Sequence, residues 1–136
     1  MNKLIVKTII NAPTAKVWKF WTSPEHIIKW NFASSDWHCP DATNELVVGK
    51  EFHYCMAAKD GTASFDFWGT YTNIEFEKRI EITLGDGRKV SVSFEKQGET
   101  TLVEEKFEPE NQNPLALQEQ GWQMILDNFK KHTENN

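Results

Sequence analysis

Four side chains invite a metal reading: His38, Cys39, His53 and Cys55. Imidazole and thiolate are the usual zinc ligands. Their spacing argues against it, because adjacent His and Cys rarely serve one ion and no Cys-x-x-Cys occurs. No metal and no other cofactor is expected, and folding should not depend on one. Asp36 and His38 could form an acid/base dyad, with the carboxylate fixing the imidazole tautomer. Both fall in a polar stretch where a local turn bond and a surface histidine are the simpler reading. There is no Gly-x-Ser-x-Gly elbow, no glycine-rich phosphate loop and no cysteine set at a helix start. No catalytic residue is therefore assigned from the sequence.

A different chemistry is suggested by the rings. The chain has 6 Trp and 9 Phe in 136 residues. Phe52, Tyr54, Met56, Phe65, Phe67, Trp122, Ile125 and Phe129 are spaced to share faces of regular elements. Such faces make either plain core or the lining of a pocket for an apolar or aromatic molecule. Tyr54 brings a hydroxyl that a solid core would have to satisfy.

The elements that position these groups follow from periodicity. Lys3 to Asn11 reads as a strand, and Ala15 to Trp21 as a short helix led in by Pro13. Ser23-Pro24-Glu25 opens a second short helix, with Ser23 as its N-cap, ending near Trp30. Asn31 to Glu45 reads as a long loop. From Glu51 to Glu108 the period is two, as in an antiparallel meander with one apolar face. A two-residue turn at Asp60-Gly61 pairs Met56 with Phe65 and Tyr54 with Phe67. Matching Ile80 and Ile82 to Val90 and Val92 needs an odd loop, such as three residues with a left-handed Gly. A turn at Gly98-Glu99 leads to Val103, Glu105 and Phe107. In that register Glu105 faces Val92 on the apolar side, where an unpaired carboxylate is costly. His53 and Asp66 become neighbours on the opposite, exposed face. Asn113 can cap a last helix beginning at Pro114, and Leu115, Trp122, Ile125, Leu126 and Phe129 form its apolar stripe. Gly121 lies inside that helix, either for close approach to the sheet or to leave ligand space.

The length suits one domain, residues 1–136. The fold class expected is α+β: an antiparallel sheet, two short helices after the first strand, and a long C-terminal helix on the sheet. The formal charge is −5, from 20 acidic and 15 basic residues, which disfavours binding to a phosphate backbone. No apolar run approaches the ~20 residues of a membrane span, and Met1-Asn2-Lys3 leads into a strand without a signal-peptide pattern. The expectation is a cytoplasmic chain, monomeric or weakly dimeric, with reduced thiols and neither nucleic acid nor membrane as partner.

Ala12-Pro13, Val17-Trp18, Trp21, Pro24-Glu25-His26 and Trp30 resemble the opening of the START-like (SRPBCC, Bet v 1-like) superfamily. Asp36-Trp37-His38-Cys39-Pro40, Asp60-Gly61, Gly69-Thr70-Tyr71 and Gly121-Trp122-Gln123 resemble one branch of it. That branch comprises homologues of the C-terminal domain of the heat-shock protein 90 ATPase activator. The resemblance spans essentially the whole chain. It implies a helix-grip fold, a curved sheet around the long helix with a cavity between them. Glu105 departs from the branch, which places apolar residues at alternating positions of the last strand. Three functions are compatible with the resemblance. The first is a binder of a hydrophobic small molecule through Phe52, Tyr54, Met56, Phe65, Phe67, Glu105, Trp122, Ile125 and Phe129. The second is a cyclase- or hydrolase-like enzyme using the same cavity. The third is a chaperone-interaction module.

Overall fold

The computed structural model describes residues 3–136; whatever was read from Met1 and Asn2 lies outside the described residues. The elements are β1 (Leu4–Ile10), α1 (Thr14–Thr22), α2 (Pro24–Trp30), β2 (Trp37–Asn44), β3 (Glu51–Ala58), β4 (Ser64–Glu75), β5 (Arg79–Leu84), β6 (Lys89–Gln97), β7 (Thr100–Phe107) and α3 (Leu115–Glu134). The strands form one 7-stranded sheet in the order β1-β7-β6-β5-β4-β3-β2. Every pairing is antiparallel. A meander thus runs from β2 to β7, and the first strand returns to pair with the last. The sheet curls into a half-barrel around α3, and the fold is α+β of helix-grip type.

The apolar alternation sets the register. Tyr54 pairs with Phe67 and Met56 with Phe65. Ile80 pairs with Val92 and Ile82 with Val90. The loop between β5 and β6 has three residues, Gly85-Asp86-Gly87, with Gly87 left-handed at φ 93°. An L side chain there would press on its own carbonyl, so the odd loop needs this glycine. The turn between β3 and β4 is a correction to the two-residue reading. Lys59 to Thr62 lie outside the ladder, and the Ala58 N–H closes the loop on the Ala63 carbonyl at 2.8 Å. Asp60-Gly61 remains at its centre, which is why the register is unchanged.

A larger correction concerns Trp37 to Asn44. This segment is not loop but the edge strand β2, paired with β3 and interrupted between His38 and Asp41. Cys39 and Pro40 occupy the interruption. Proline lacks the N–H of a ladder residue and survives only at an edge or bulge. The bulge also breaks the alternation that would have revealed the strand.

The helices close both edges of the sheet. α2 lies against β2. α3 runs beside β1, where the Gln123 side chain donates to the Lys7 carbonyl and the Lys130 ammonium to that of Ile9. The Glu134 carboxylate accepts the Asn11 N–H at 2.7 Å. Such contacts occupy backbone groups that would otherwise invite another strand.

α3 begins one residue later than its proline suggested. Pro114 is the capping residue, and its carbonyl accepts the N–H groups of Leu117 and Gln118. Leu115, assigned to the apolar stripe, is 53% exposed. The inward side starts instead with Gln118, whose side-chain amide bonds Glu110 N–H and the carbonyls of Glu110 and Asn113. This pins the β7–α3 connection. At the other helix start Ser23 is the N-cap, but its carbonyl rather than its hydroxyl meets the first helical N–H groups.

Gly121 serves neither role considered for it. A Cβ built there meets nothing within 4 Å, so no close approach requires it, and it is not part of the cavity wall described below. Gly121→Ala should therefore stabilise the chain by about 1 kcal/mol, through lower backbone entropy in the unfolded state. Thermal unfolding reads this as a rise of about 3 °C. An unchanged or lower midpoint would show that the position is crowded after all.

Candidate functional site

Between the concave face of the sheet and α3 lies a cavity of about 310 Å³. For scale, an engineered apolar cavity of roughly 150 Å³ takes up benzene. The sheet supplies Phe52, Tyr54 and Met56 from β3, Phe65 and Phe67 from β4, and Glu105 from β7. α3 supplies Trp122 and Ile125. Eight of the nine residues singled out in the sequence thus meet around one space. Phe65 sits at its rim, 53% exposed, with its ring 6.0 Å from that of Trp37.

Phe129 is the exception. It is fully buried, away from the cavity wall, with its ring 4.8 Å from Trp21 and 4.9 Å from Trp30 in edge-on contacts. The stripe of α3 is therefore divided along its length. Its C-terminal half fills a core against α1 and α2, and its N-terminal half faces the cavity.

Several lining residues were not singled out beforehand. Ile80, Ile82, Val90 and Val92 were legible as members of the apolar alternation. Trp21, Trp30, Asn31 and Tyr71 also line the space. No local pattern marks Asn31, which follows the last residue of α2 and is buried. Its side-chain amide donates to the Met56 sulfur at 3.2 Å.

The polar groups of the cavity are separated by position. The hydroxyl of Tyr71 accepts from the Asn44 side chain at 3.2 Å, and Tyr54 is beside it. Burial, with Tyr71 adding to it, pushes the Tyr54 phenol well above its usual range, so it stays neutral. At the mouth, Arg88 donates to Asp86 at 2.8 Å, and Glu110 accepts the N–H groups of Gln112 and Asn113.

Glu105 stands apart from both groups. Its neighbours across the ladder are Val6 on β1 and Val92 on β6. It is 7% exposed, and burial alone, with no ion pair or hydrogen bond offsetting it, pushes its carboxyl up to about 8. At neutral pH most of it is the uncharged acid, which can both donate and accept a hydrogen bond.

The other candidates lie elsewhere. His53 projects from the outer face. It is stacked on Trp68 and bonded to Asp66 at 2.7 Å and Glu51 at 2.9 Å. The Asp66 bond first, then that of Glu51, raises its pKa, as in an ordinary exposed cross-strand pair. Asp36 and His38 share no hydrogen bond; the Asp36 carbonyl instead accepts the Lys59 N–H. Cys39 is buried, and burial above all raises its thiol to about 11, far from a reactive thiolate. Among the described residues no three His, Cys, Asp or Glu side chains converge to hold a metal ion.

Residues 11–134 match the family model described as activator of Hsp90 ATPase homolog 1-like protein. The chain belongs to this family. Its members share the START-like (SRPBCC) fold, and the family includes ligand binders and homologues of the Hsp90 ATPase activator. An AHSA1-like protein from Aeromonas hydrophila, solved by NMR, is 43% identical. The alignment covers 98% of this chain and 93% of that one, with a TM-score of 0.92. A protein from Cytophaga hutchinsonii is 50% identical over 100% of this chain and 94% of its own, with a TM-score of 0.86. A Nitrosomonas europaea protein, 20% identical over 98% of this chain and 94% of its own, shares the fold at a TM-score of 0.83. None of the curated proteins matches the chain. Among the described residues, no helix of this AHSA1-like protein is long and apolar enough to cross a membrane.

Proposed function

We propose that this AHSA1-like protein binds a hydrophobic, largely aromatic small molecule in the cavity between α3 and the sheet. The observation that carries the reading is the 310 Å³ space walled by rings, with an unpartnered buried carboxyl on its wall. Interiors of this size normally close to crystal-like density. An apolar space of this size with an unpaired acid on its wall is better explained by an occupant than by packing.

An enzymatic reading receives less support. No cavity-lining side chain hydrogen-bonds Glu105 to complete an acid/base pair, and the tyrosine hydroxyls are held in their own contacts. The chaperone reading rests on the family description. The exposed large apolar residues are divided among β1 (Ile5, Ile9), the β2–β3 connection (Val47, Val48), the rim (Phe65), the β4–β5 turn (Phe76) and α3 (Leu115, Leu117, Met124).

Titration with 2-naphthol tests the proposal. Trp21, Trp30 and Trp122 all line the cavity, so binding should quench tryptophan fluorescence saturably. At a hundredfold excess over Kd it should add about 2.7 kcal/mol to stability and raise the unfolding midpoint by several degrees. Filling the wall by Ile125→Trp should weaken binding at least tenfold. Absence of both quenching and midpoint shift across one- to three-ring aromatic compounds would defeat the proposal.

A further inference from the structure

Glu105 is the one ionisable group on the cavity wall that the fold leaves without a partner. Its flanking residues on the sheet are valines, and no cation or hydrogen-bond donor of the chain reaches it. The charged groups that share the cavity, Arg88 and Glu110, are engaged at the mouth with Asp86 and with backbone N–H groups. The two cavity tyrosines remain neutral. Inside the cavity, then, one acid faces several ring surfaces and no competing charge.

This combination selects among ligands. An anionic ligand finds no free cation in the cavity, since Arg88 is engaged with Asp86, and it holds Glu105 in its uncharged form. A neutral ligand can offer only a neutral hydrogen bond. A protonated amine supplies a charge-assisted one, roughly twice as strong. Its positive charge is also attracted to aromatic faces such as those of Trp122, Phe67 and Phe52. Trp122 is held in place for that role by stacking on Phe107 at 4.0 Å, two residues along β7 from Glu105.

We infer that the cavity takes an aromatic amine, its ammonium paired with Glu105 and its ring system lying against Trp122 and the sheet phenylalanines. The inference rests on the ligand-binding reading above and adds the chemical class. On binding, Glu105 ionises against the ammonium: the proton that most of the buried acid carries at neutral pH leaves to solvent, and no other bond forms or breaks.

The experiment compares two probes of the same shape, naphthalen-2-ylmethylamine and naphthalen-2-ylmethanol, by calorimetry on the full chain at pH 7.5. The amine should bind about tenfold or more tightly than the alcohol. Glu105→Gln should bring the two affinities within about twofold of each other. A thermal melt of the variant verifies that it is folded, and the comparison on the native chain needs no variant at all. If the alcohol binds the native chain as tightly as the amine, or if the preference survives Glu105→Gln, the amine assignment is overturned and the cavity reading stands. If neither probe binds, both are overturned.

Discussion

Glu105→Leu makes the protein more stable at pH 8, by about 3 kcal/mol, and scarcely more stable at pH 4. The sign follows from proton linkage. In the unfolded chain this carboxyl ionises near its ordinary value of 4.5, whereas in the fold burial raises it to about 8. A group whose folded pKa is raised has its full stabilising effect below pH 4.5. That effect declines as pH rises through the window to about 8, because the unfolded state releases its proton first. Each pH unit across the window is worth about 1.4 kcal/mol. Water entering the cavity beside the carboxyl reduces the total, and about 3 kcal/mol is the expected magnitude. Urea denaturation of native and variant chains at several pH values measures it. Other groups titrate in the same range, notably His53 with its pKa raised and His132 with its pKa lowered. They are common to both chains, so they cancel in the difference. A difference that does not change between pH 5 and pH 8 would mean that Glu105 is solvated or paired. A stabilising change of this size at one wall position is what a site retained for function at the expense of stability would show.

Truncating Phe129 should have the largest destabilising effect of any change at the nine residues singled out from the sequence. Its ring is fully buried between Trp21 and Trp30, and Trp30 is fixed by donating its indole N–H to the Phe20 carbonyl at 3.1 Å. These partners cannot collapse into the space, so Phe129→Ala should cost about 4 kcal/mol. Phe65→Ala removes a ring that is already 53% exposed at the rim and should cost less than about 1 kcal/mol. The pair separates core from cavity wall. Phe129→Ala should lower the thermal midpoint by roughly 10 °C or more and leave the affinity for 2-naphthol per folded molecule nearly unchanged. Phe65→Ala should do the reverse. Equal stability losses for the two would contradict the division of α3 into a core half and a cavity half.

Local, periodic features of the fold are legible in the amino-acid sequence. Alternation from Phe52 to Phe107 specifies strands and the side each residue faces. A slip of one residue would turn every ring to solvent, so the pairing of Tyr54 with Phe67 follows from it. The same parity argument required an odd loop before Val90 and put Glu105 opposite Val92. It failed where alternation is broken. β2 escaped notice because the Cys39-Pro40 bulge interrupts its pattern, and an edge strand needs only one partner to exist. It also failed where a residue's surroundings come from distant segments. Asn31 reaches the cavity only because α2 folds back on β2, and nothing in its neighbours announces that.

Periodicity alone thus determined the α+β layers, the aromatic face of the sheet and the presence of an acid on it. It could not separate wall from core. Trp122 and Phe129 lie seven residues apart on the same helical stripe and are equivalent in pattern. The tertiary structure makes them different, because α1 and α2 bring Trp21 and Trp30 against the C-terminal half of α3, while the N-terminal half faces a curled sheet that no other element fills. Curvature and the placement of short helices depend on every strand pairing at once, from β1 on β7 to β2 on β3, and no stretch of sequence encodes them by itself.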